Sequence, residues 1–264
     1  MLAVTKSNWS GLGRGSGRAA QGDESARSLQ LSLLPKEIPQ LPGFQVACAW
    51  RPSSQVSGDL FDVFPLDPAP DDPSRLALCI ADISGKGGGA VTRARELHLA
   101  VRDYAPQAAS PAELCTLVNR ALSSSTAPAR YVTMWYGVLE TSGRLQYESA
   151  GHCLPVLVRA DGSVVFPASF SGIIGIFSHW LYQTQEIELH PGDCLLVMTD
   201  GLLQARRRRE EFGYRRLIAM VEAAGQQSAE SLASGIMESV TAFCGGRFED
   251  DASLIAVRAQ PRDA

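Results

Sequence analysis

At four points in this chain an aspartate, or a pair of them, stands at the end of an apolar run. The run 76–81 stops at Asp82 in LALCIADISGKGGG, and the run 194–199 stops at Asp200 in DCLLVMTDG. Asp59 lies in VSGDLFDVF, and Asp250 and Asp251 stand just before the apolar run 252–257. Charged Asp is seldom buried unless it is paired or bound to a metal. Hard divalent cations take oxygen ligands, and Mg²⁺ or Mn²⁺ uses a few carboxylates while keeping several waters. Two such ions about 3.5–4 Å apart share a bridging water and lower its pKa. That water attacks a phosphorus in line while the ions neutralise the phosphoryl oxygens. Four carboxylates from distant parts of one chain thus point to one cation site and to metal-dependent chemistry on phosphate. No side-chain nucleophile is needed, and the chain has no GxSxG elbow and no Cys–His pairing signal. The competing role for each position is a turn-former or a helix cap. Asp193, in Pro-Gly-Asp, reads as a turn residue, and Asp67, Asp71 and Asp72 read as loop solvation.

Other polar residues bear on the same chemistry. The string SGKGGG lacks the Ser or Thr that must follow the lysine of a Walker loop, because Lys86 is followed by Gly87. Its glycines still permit close backbone approach to an anion, and a helix follows. Lys86 there is either a phosphate contact or an exposed loop lysine. His152, in SAGHCLP, is a hydrogen-bonded brace for a turn or a proton donor. The arginines at 206–209 form a solvated basic loop, or steer an anionic phosphoprotein toward Asp200. Trp50, Trp135 and Trp180 read as core or rim packing rather than a ligand cage.

The elements that must position these residues follow from periodicity and breakers. Residues 1–22 are rich in Gly, Ser, Arg and Ala with no apolar period, which predicts a disordered leader. Residues 23–34 place Ala26, Leu29, Leu31, Leu33 and Leu34 in a short amphipathic helix, broken by prolines at 35, 39 and 42. Strands are expected over 44–50, 55–64 and 76–81, with a solvated loop over 65–74. A glycine-rich turn opens a helix over 90–104, and Pro111 starts another to about 123. Strands follow at 131–140 and 144–149, a hairpin at 154–159 and 163–166, and strands at 183–189 and 194–199. Helices over 213–223 and 228–244 precede a last strand at 252–258. Strands, two helices, many strands, two helices and one strand do not make a regular βαβ alternation. The pattern predicts an α+β fold of antiparallel sheets covered by helix pairs.

Composition narrows the class further. At 264 residues and 45% hydrophobic, the chain can bury a large core in one domain or slightly more. A net charge of -4 excludes the basic excess of a nucleic-acid binder. No stretch approaches eighteen apolar residues, and the N-terminus has no continuous apolar signal segment, so neither a membrane span nor export is expected. The six cysteines are scattered without CxxC spacing, which argues against a zinc site and fits a reduced, cytoplasmic setting.

Six segments in order carry a resemblance: SGDLFDVF, IADISGKGGGA, YVTMWYGVLE, ESAGHCLPVLVR, LHPGDCLLVMTDGLLQARRRREEFG and FEDDASLIAV. The chain resembles the metal-dependent (PPM, type 2C-like) serine phosphatases. Within them it is similar to the bacterial branch of stage II sporulation protein E and the sigma-factor regulator RsbU. The resemblance covers about 29–258, and LQLSLLP matches the branch's linker helix to regulatory input. It implies a four-layer α-β-β-α sandwich over 43–260, preceded by a linker helix and Pro-rich connector at 23–42. It implies two ions, Mn²⁺ or Mg²⁺, between the sheets. Carried over by position, Asp59 matches the branch's first acidic motif. Asp82 matches the aspartate bridging both ions, with the Ile83 carbonyl beside it. Asp200 matches the TDG ligand, and Asp250 matches the first acid of the terminal pair, with Asp251 in a variable second place. Asp59 and Asp82 would then serve a metal-bound hydroxide as nucleophile, and Lys86 would touch substrate.

The chain departs from the branch in several places. Ser57 replaces a glycine, Gly88 and Gly89 replace a small apolar helix start, and Arg93, Arg95 and Glu96 replace apolar residues. A proline is missing from 172–175, and Cys153 replaces an asparagine. The expected activity is dephosphorylation of phosphoserine or phosphothreonine on an anti-sigma-factor antagonist with a STAS domain, in a partner-switching pathway. The alternatives are a non-catalytic signalling module of the same fold and a hydrolase of small phosphate esters. The apolar stripe at 23–34 is expected to pair with a second chain or a sensor domain. Neither nucleic acid nor membrane is an expected partner.

Overall fold

The computed structural model describes residues 2–3, 5–6, 18–67, 73–85, 87–124, 131–169 and 171–260. Its first part runs β1 (Leu2–Ala3), β2 (Thr5–Lys6), α1 (Arg18–Leu33), β3 (Glu37–Ile38), β4 (Phe44–Arg51), β5 (Asp59–Pro65) and β6 (Arg75–Ile83). Helices α2 (Gly88–Tyr104) and α3 (Pro111–Ser123) follow, then β7 (Val132–Glu140), β8 (Arg144–Ala150), β9 (Val156–Val158), β10 (Val164–Val165) and β11 (Gln185–Glu188). The last part is β12 (Cys194–Met198), α4 (Asp200–Leu203), β13 (Arg206–Arg207), β14 (Glu210–Glu211), α5 (Gly213–Ala224), α6 (Ala229–Phe243) and β15 (Ala252–Ala259).

Two sheets make the body of the molecule. One has the order β10-β9-β12-β15-β4-β2, and the other β11-β8-β7-β6-β5. All pairings are antiparallel except β2 on β4 at one edge. Side chains alternate faces along a strand, and both faces are buried here. On β6, Leu76, Leu78 and Ile80 enter the core between the sheets. Ala77, Cys79 and Ala81 on the same strand face α2 and α3, beside Ala94, Leu97, Leu114 and Val118. Likewise Val46 and Cys48 of β4 and Ile255 and Val257 of β15 point inward. Ala47, Ala49, Leu254 and Ala256 point outward to α5 and α6. Burial on both sides explains why these strands read as continuous apolar runs rather than alternating ones. The α-β-β-α sandwich expected from the resemblance is present, with Trp135 fully buried and stacked on Tyr147 at 5.8 Å.

The structure corrects several boundaries. Helix α1 begins at Arg18, not 23, and the strands β1 and β2 form within the expected disordered leader; residues 7–17 lie outside the described residues. The apolar stripe on α1 is partly spent inside the chain. Leu33 joins the core under α2 and α3, Leu34 joins the core between the sheets, and Leu31 stays exposed. Strand β5 starts at Asp59 rather than 55, because Ser53 and Gly58 donate their N–H groups to Asp251 and hold the preceding segment in a turn. Helix α2 starts at Gly88, two glycines earlier than expected, behind a turn in which Gly85 and Gly87 have φ of 89° and 79°. Only glycine adopts that region at little cost.

Candidate metal centre

The parity of the strands brings the acidic residues to one end of the seam between the sheets. Asp59 and Asp82 sit directly opposite each other in the β5–β6 ladder. Asp59 shares a face with Phe61 and Val63, and Asp82 with Leu78 and Ile80, and those four line the inter-sheet core. From the other sheet, Thr199 and Ser253 continue the inward faces of Leu195 and Val197 and of Ile255 and Val257. Thr199 donates its N–H to the Ser253 carbonyl at 3.0 Å, and Ser253 donates its N–H to Thr199 Oγ1 at 2.9 Å. Both hydroxyls then donate to Asp59 Oδ2, Thr199 at 2.8 Å and Ser253 at 2.6 Å. One carboxylate oxygen is thereby bolted to the opposite sheet. Asp62, three residues on, has the opposite parity. It faces α2 and is clasped by Arg102 at 2.6 and 2.8 Å and by His98 at 3.1 Å.

Charge is concentrated at this end. Burial, then the charges of Asp251 and Asp82, push the Asp59 carboxyl well above the usual carboxylate range, against the two hydroxyl bonds. Burial and then Asp250 raise Asp200. Cys153 senses both groups: burial first, then Asp200, Asp59 and Asp82, push its thiol up, and it donates to the Met198 carbonyl at 2.6 Å. The expected carboxylates therefore share one neighbourhood, as an Asp59–Asp82–Asp251 group and an Asp200–Asp250 pair. Among the described residues, no three His, Cys, Asp or Glu side chains close on a single point as a ready metal cage. The donors are nevertheless all hard oxygens, and a buried carboxylate raised by like charges gains from a cation. This chemistry fits Mn²⁺ or Mg²⁺.

The loop carrying Asp59 is held from three sides. Gln30 of α1 donates to the Ser57 carbonyl at 2.8 Å and accepts the Ser57 N–H at 2.8 Å. The Ser57 hydroxyl accepts the Asp59 N–H at 3.0 Å and the Trp50 indole N–H at 3.4 Å. The serine, which stands where the branch has a glycine, is fully buried and works as a brace. Asp251 accepts the Gly58 N–H at 2.7 Å and the Ser53 N–H at 2.6 Å. A Cβ on Gly58 would stand 2.7 Å from the Ile83 carbonyl and 3.6 Å from Asp82 Oδ1, so glycine lets the loop lie against those oxygens. At the second pair, Asp200 opens α4 and accepts from Gln204 at 3.0 Å, while Asp250 accepts the Asp251 N–H at 3.0 Å. A Cβ on Gly201 would collide with the Asp251 carbonyl, which explains the glycine of TDG.

The remaining candidates divide. Lys86 lies outside the described residues. His152 is buried with Nδ1 2.9 Å from Thr133 Oγ1, and burial lowers its pKa to about 4, so it is neutral at pH 7 and braces its turn. Asp193 is a buried turn residue, accepting from Arg159 at 2.6 Å and from the Ala160 and His190 N–H groups. The arginines at 206–209 form the β13–β14 hairpin. Residue-by-residue reading missed Gln30, Thr199 and Ser253, and undervalued Asp251. Parity was the available signal for Thr199 and Ser253, since each continues an inward apolar face by two residues. Nothing local marks Gln30.

Residues 72–260 match the family described as Stage II sporulation protein E (SpoIIE). The chain is 26% identical to Protein IcfG of Synechocystis sp. over 89% of its own length and 41% of that protein's. It is 22% identical to the phosphoserine phosphatase RsbU of Bacillus subtilis over 89% of the chain and 69% of the relative. It thus spans less than half of the first relative and about two thirds of the second. The crystal structure of the RsbU and RsbW domains of Rv1364c from Mycobacterium tuberculosis superposes with a TM-score of 0.70 at 26% identity, over 85% of this chain and 63% of that one. The catalytic domain of the serine threonine protein phosphatase PstP, solved with two manganese ions, shares the fold at a TM-score of 0.60 and 14% identity, over 83% of this chain and 99% of that one. With its sandwich, its paired aspartates and its matched motifs, the chain belongs to the stage II sporulation protein E (SpoIIE) family and carries that family's type 2C phosphatase domain.

Proposed function

We propose that this domain is a Mn²⁺- or Mg²⁺-dependent phosphoserine/phosphothreonine protein phosphatase. The observation that carries the reading is Asp59, fixed between two sheets by Thr199 and Ser253 while facing Asp82 across the ladder. Asp59, Asp82, the Ile83 carbonyl, Asp200 and Asp250 would hold the ions. When bound, such ions supply an activated water and neutralise phosphoryl charge. The chain's own residues do the positioning. The two hydroxyls fix Asp59 Oδ2, so its other oxygen keeps a set direction. Asp251 and Gln30 hold the backbone that carries it. Lys86 would contact the phosphate. The physiological substrate in this reading is a phosphorylated STAS-domain anti-sigma-factor antagonist, and the setting is cytoplasmic partner switching. That RsbU of Bacillus subtilis is a phosphoserine phosphatase, and that Rv1364c has both RsbU and RsbW domains, support it. A homodimer or sensor domain would engage the exposed part of α1 around Leu31.

The test is turnover of a phosphoserine protein with Mn²⁺ by the parent and by Asp82→Asn. Loss of an ion-holding carboxylate should remove several kcal/mol of transition-state stabilisation, at least about a hundredfold in rate, with the circular dichroism spectrum unchanged. Equal turnover in the two proteins defeats the assignment. One observation favours a second reading, a non-catalytic module that keeps the fold and binds a partner: among the described residues no three His, Cys, Asp or Glu side chains form a ready cage. Absence of Mn²⁺ binding by calorimetry, together with absence of p-nitrophenyl phosphate hydrolysis, would select it. Far faster turnover of small esters than of phosphoprotein would select a small-ester hydrolase instead.

A further inference from the structure

A groove of about 570 Å³ lies between the β13–β14 hairpin and the C-terminal end of α6. Its lining includes Arg206, Arg207, Arg208 and Arg247 around the rings of Phe243 and Phe248, with Glu249 the one acid. Two of these arginines are committed. Arg206 pairs with Glu211 at 2.6 Å. Arg207 pairs with Glu210 at 3.5 Å and lies 4.9 Å over the Phe243 ring. Arg208 and Arg247 are exposed, and neither has an acidic partner among the described residues.

The backbone presents both of them deliberately. Arg208 is the first residue of the two-residue turn joining β13 to β14, at φ 60°, and it is the one non-glycine with positive φ among the described residues. Glycine is the preferred residue at such a position. Bulky residues held in the left-handed region cluster at functional sites. Arg247 follows Gly245 and Gly246, at φ 62° and 76°, which end α6 and turn the chain back. The groove also adjoins the carboxylate centre along the chain: Glu249 precedes Asp250, and Arg206 follows the short helix that Asp200 opens.

We propose that this groove binds an acidic stretch of the phosphoprotein substrate, beside the segment carrying the phosphorylated residue. Arg208 and Arg247 meet its carboxylates. The inference rests on the phosphatase reading and deepens it. A long nucleic acid fits less well, because the whole chain carries a net charge of -4.

The experiment pairs Arg208→Gly with Arg247→Ala. Glycine relieves the strained turn, so the hairpin should survive the first change. The probe is a fluorescein-labelled phosphoserine peptide rich in Asp and Glu, titrated by anisotropy, with an alanine-for-acid peptide as control. The parent should prefer the acidic peptide, and the double variant should lose about tenfold in affinity for it with a shallower salt dependence. Hydrolysis of p-nitrophenyl phosphate with Mn²⁺ should be unchanged. Equal acidic-peptide affinity in parent and double variant overturns the groove. So does a parent indifferent to peptide charge, or tighter binding of an RNA oligonucleotide that the variant loses. Binding is read without turnover, so absence of hydrolysis in the parent defeats the phosphatase reading alone.

Discussion

Asp59 is the residue on which the centre's electrostatics turn. Its carboxyl is raised first by burial and then by Asp251 and Asp82. A carboxyl whose folded value lies above its unfolded value contributes stability at pH below the unfolded value. That contribution is lost as the pH rises through the folded value. Ionised Asp59 is therefore a cost to the cation-free protein at neutral and alkaline pH. Asp59→Asn should raise cation-free stability near about pH 8, seen as a higher urea midpoint, and should abolish stabilisation by Mn²⁺. A lower midpoint would show that the hydroxyl bonds outweigh the like charges. The sequence made Asp59 and Asp82 visible because each interrupts an apolar strand. It did not show the hydroxyl bonds that Asp59 accepts, because Thr199 and Ser253 look like ordinary strand-end residues until the two sheets are placed face to face.

At the scale of elements, parity sorts the polar residues by role. Asp59 and Asp62 lie three residues apart on one strand, so they face opposite sides. One enters the seam, and the other anchors α2 through Arg102 and His98. Burial pushes Asp62 up, but the bonds and charges of His98 and Arg102 outweigh it and leave the carboxyl below its ordinary range. The clasp from α1 to the Asp59 loop is the element-level feature that no local pattern announces, because Gln30 and Ser57 are 27 residues apart. Gln30→Ala would leave a buried N–H and carbonyl unmatched, at a cost of about 1–3 kcal/mol, and would loosen the loop that carries Asp59. The expected outcome is a lower urea midpoint together with weaker Mn²⁺ binding by calorimetry. A stability loss with unchanged affinity would make the clasp structural only. Periodicity located the helices to within a few residues. It failed at α1, where glycine and serine masked the helix start, and at β5, where a long-range bond to Asp251 ends the turn.

On the scale of the molecule, two sheets enclose one apolar seam that ends in carboxylates. The class of fold was legible because central strands buried on both faces must be apolar throughout, and because helices came in pairs between groups of strands. Sheet order was not legible, since β15 must cross from the chain's end to lie between β12 and β4. A ligand that binds only the folded chain stabilises it by mass action. Mn²⁺ at about a hundred times its dissociation constant should add about 2.7 kcal/mol, which raises Tm by roughly 5–10 °C for a domain of this size. A flat melting curve across a Mn²⁺ titration would count against ion binding at this end of the seam.

The hydroxyl bolts from Thr199 and Ser253 to Asp59 have a consequence for evolution. In the proposed phosphatase they would make the distance between the two halves of the sandwich part of the reaction geometry. A methyl group gained or lost deep among Leu78, Ile80, Val197 and Ile255 would shift one half against the other and drag the Asp59 carboxylate with it. Drift in greasy interior positions would therefore reach the proposed chemistry as directly as drift in the acids themselves. Interior repacking in relatives should come in compensating pairs that preserve this gap.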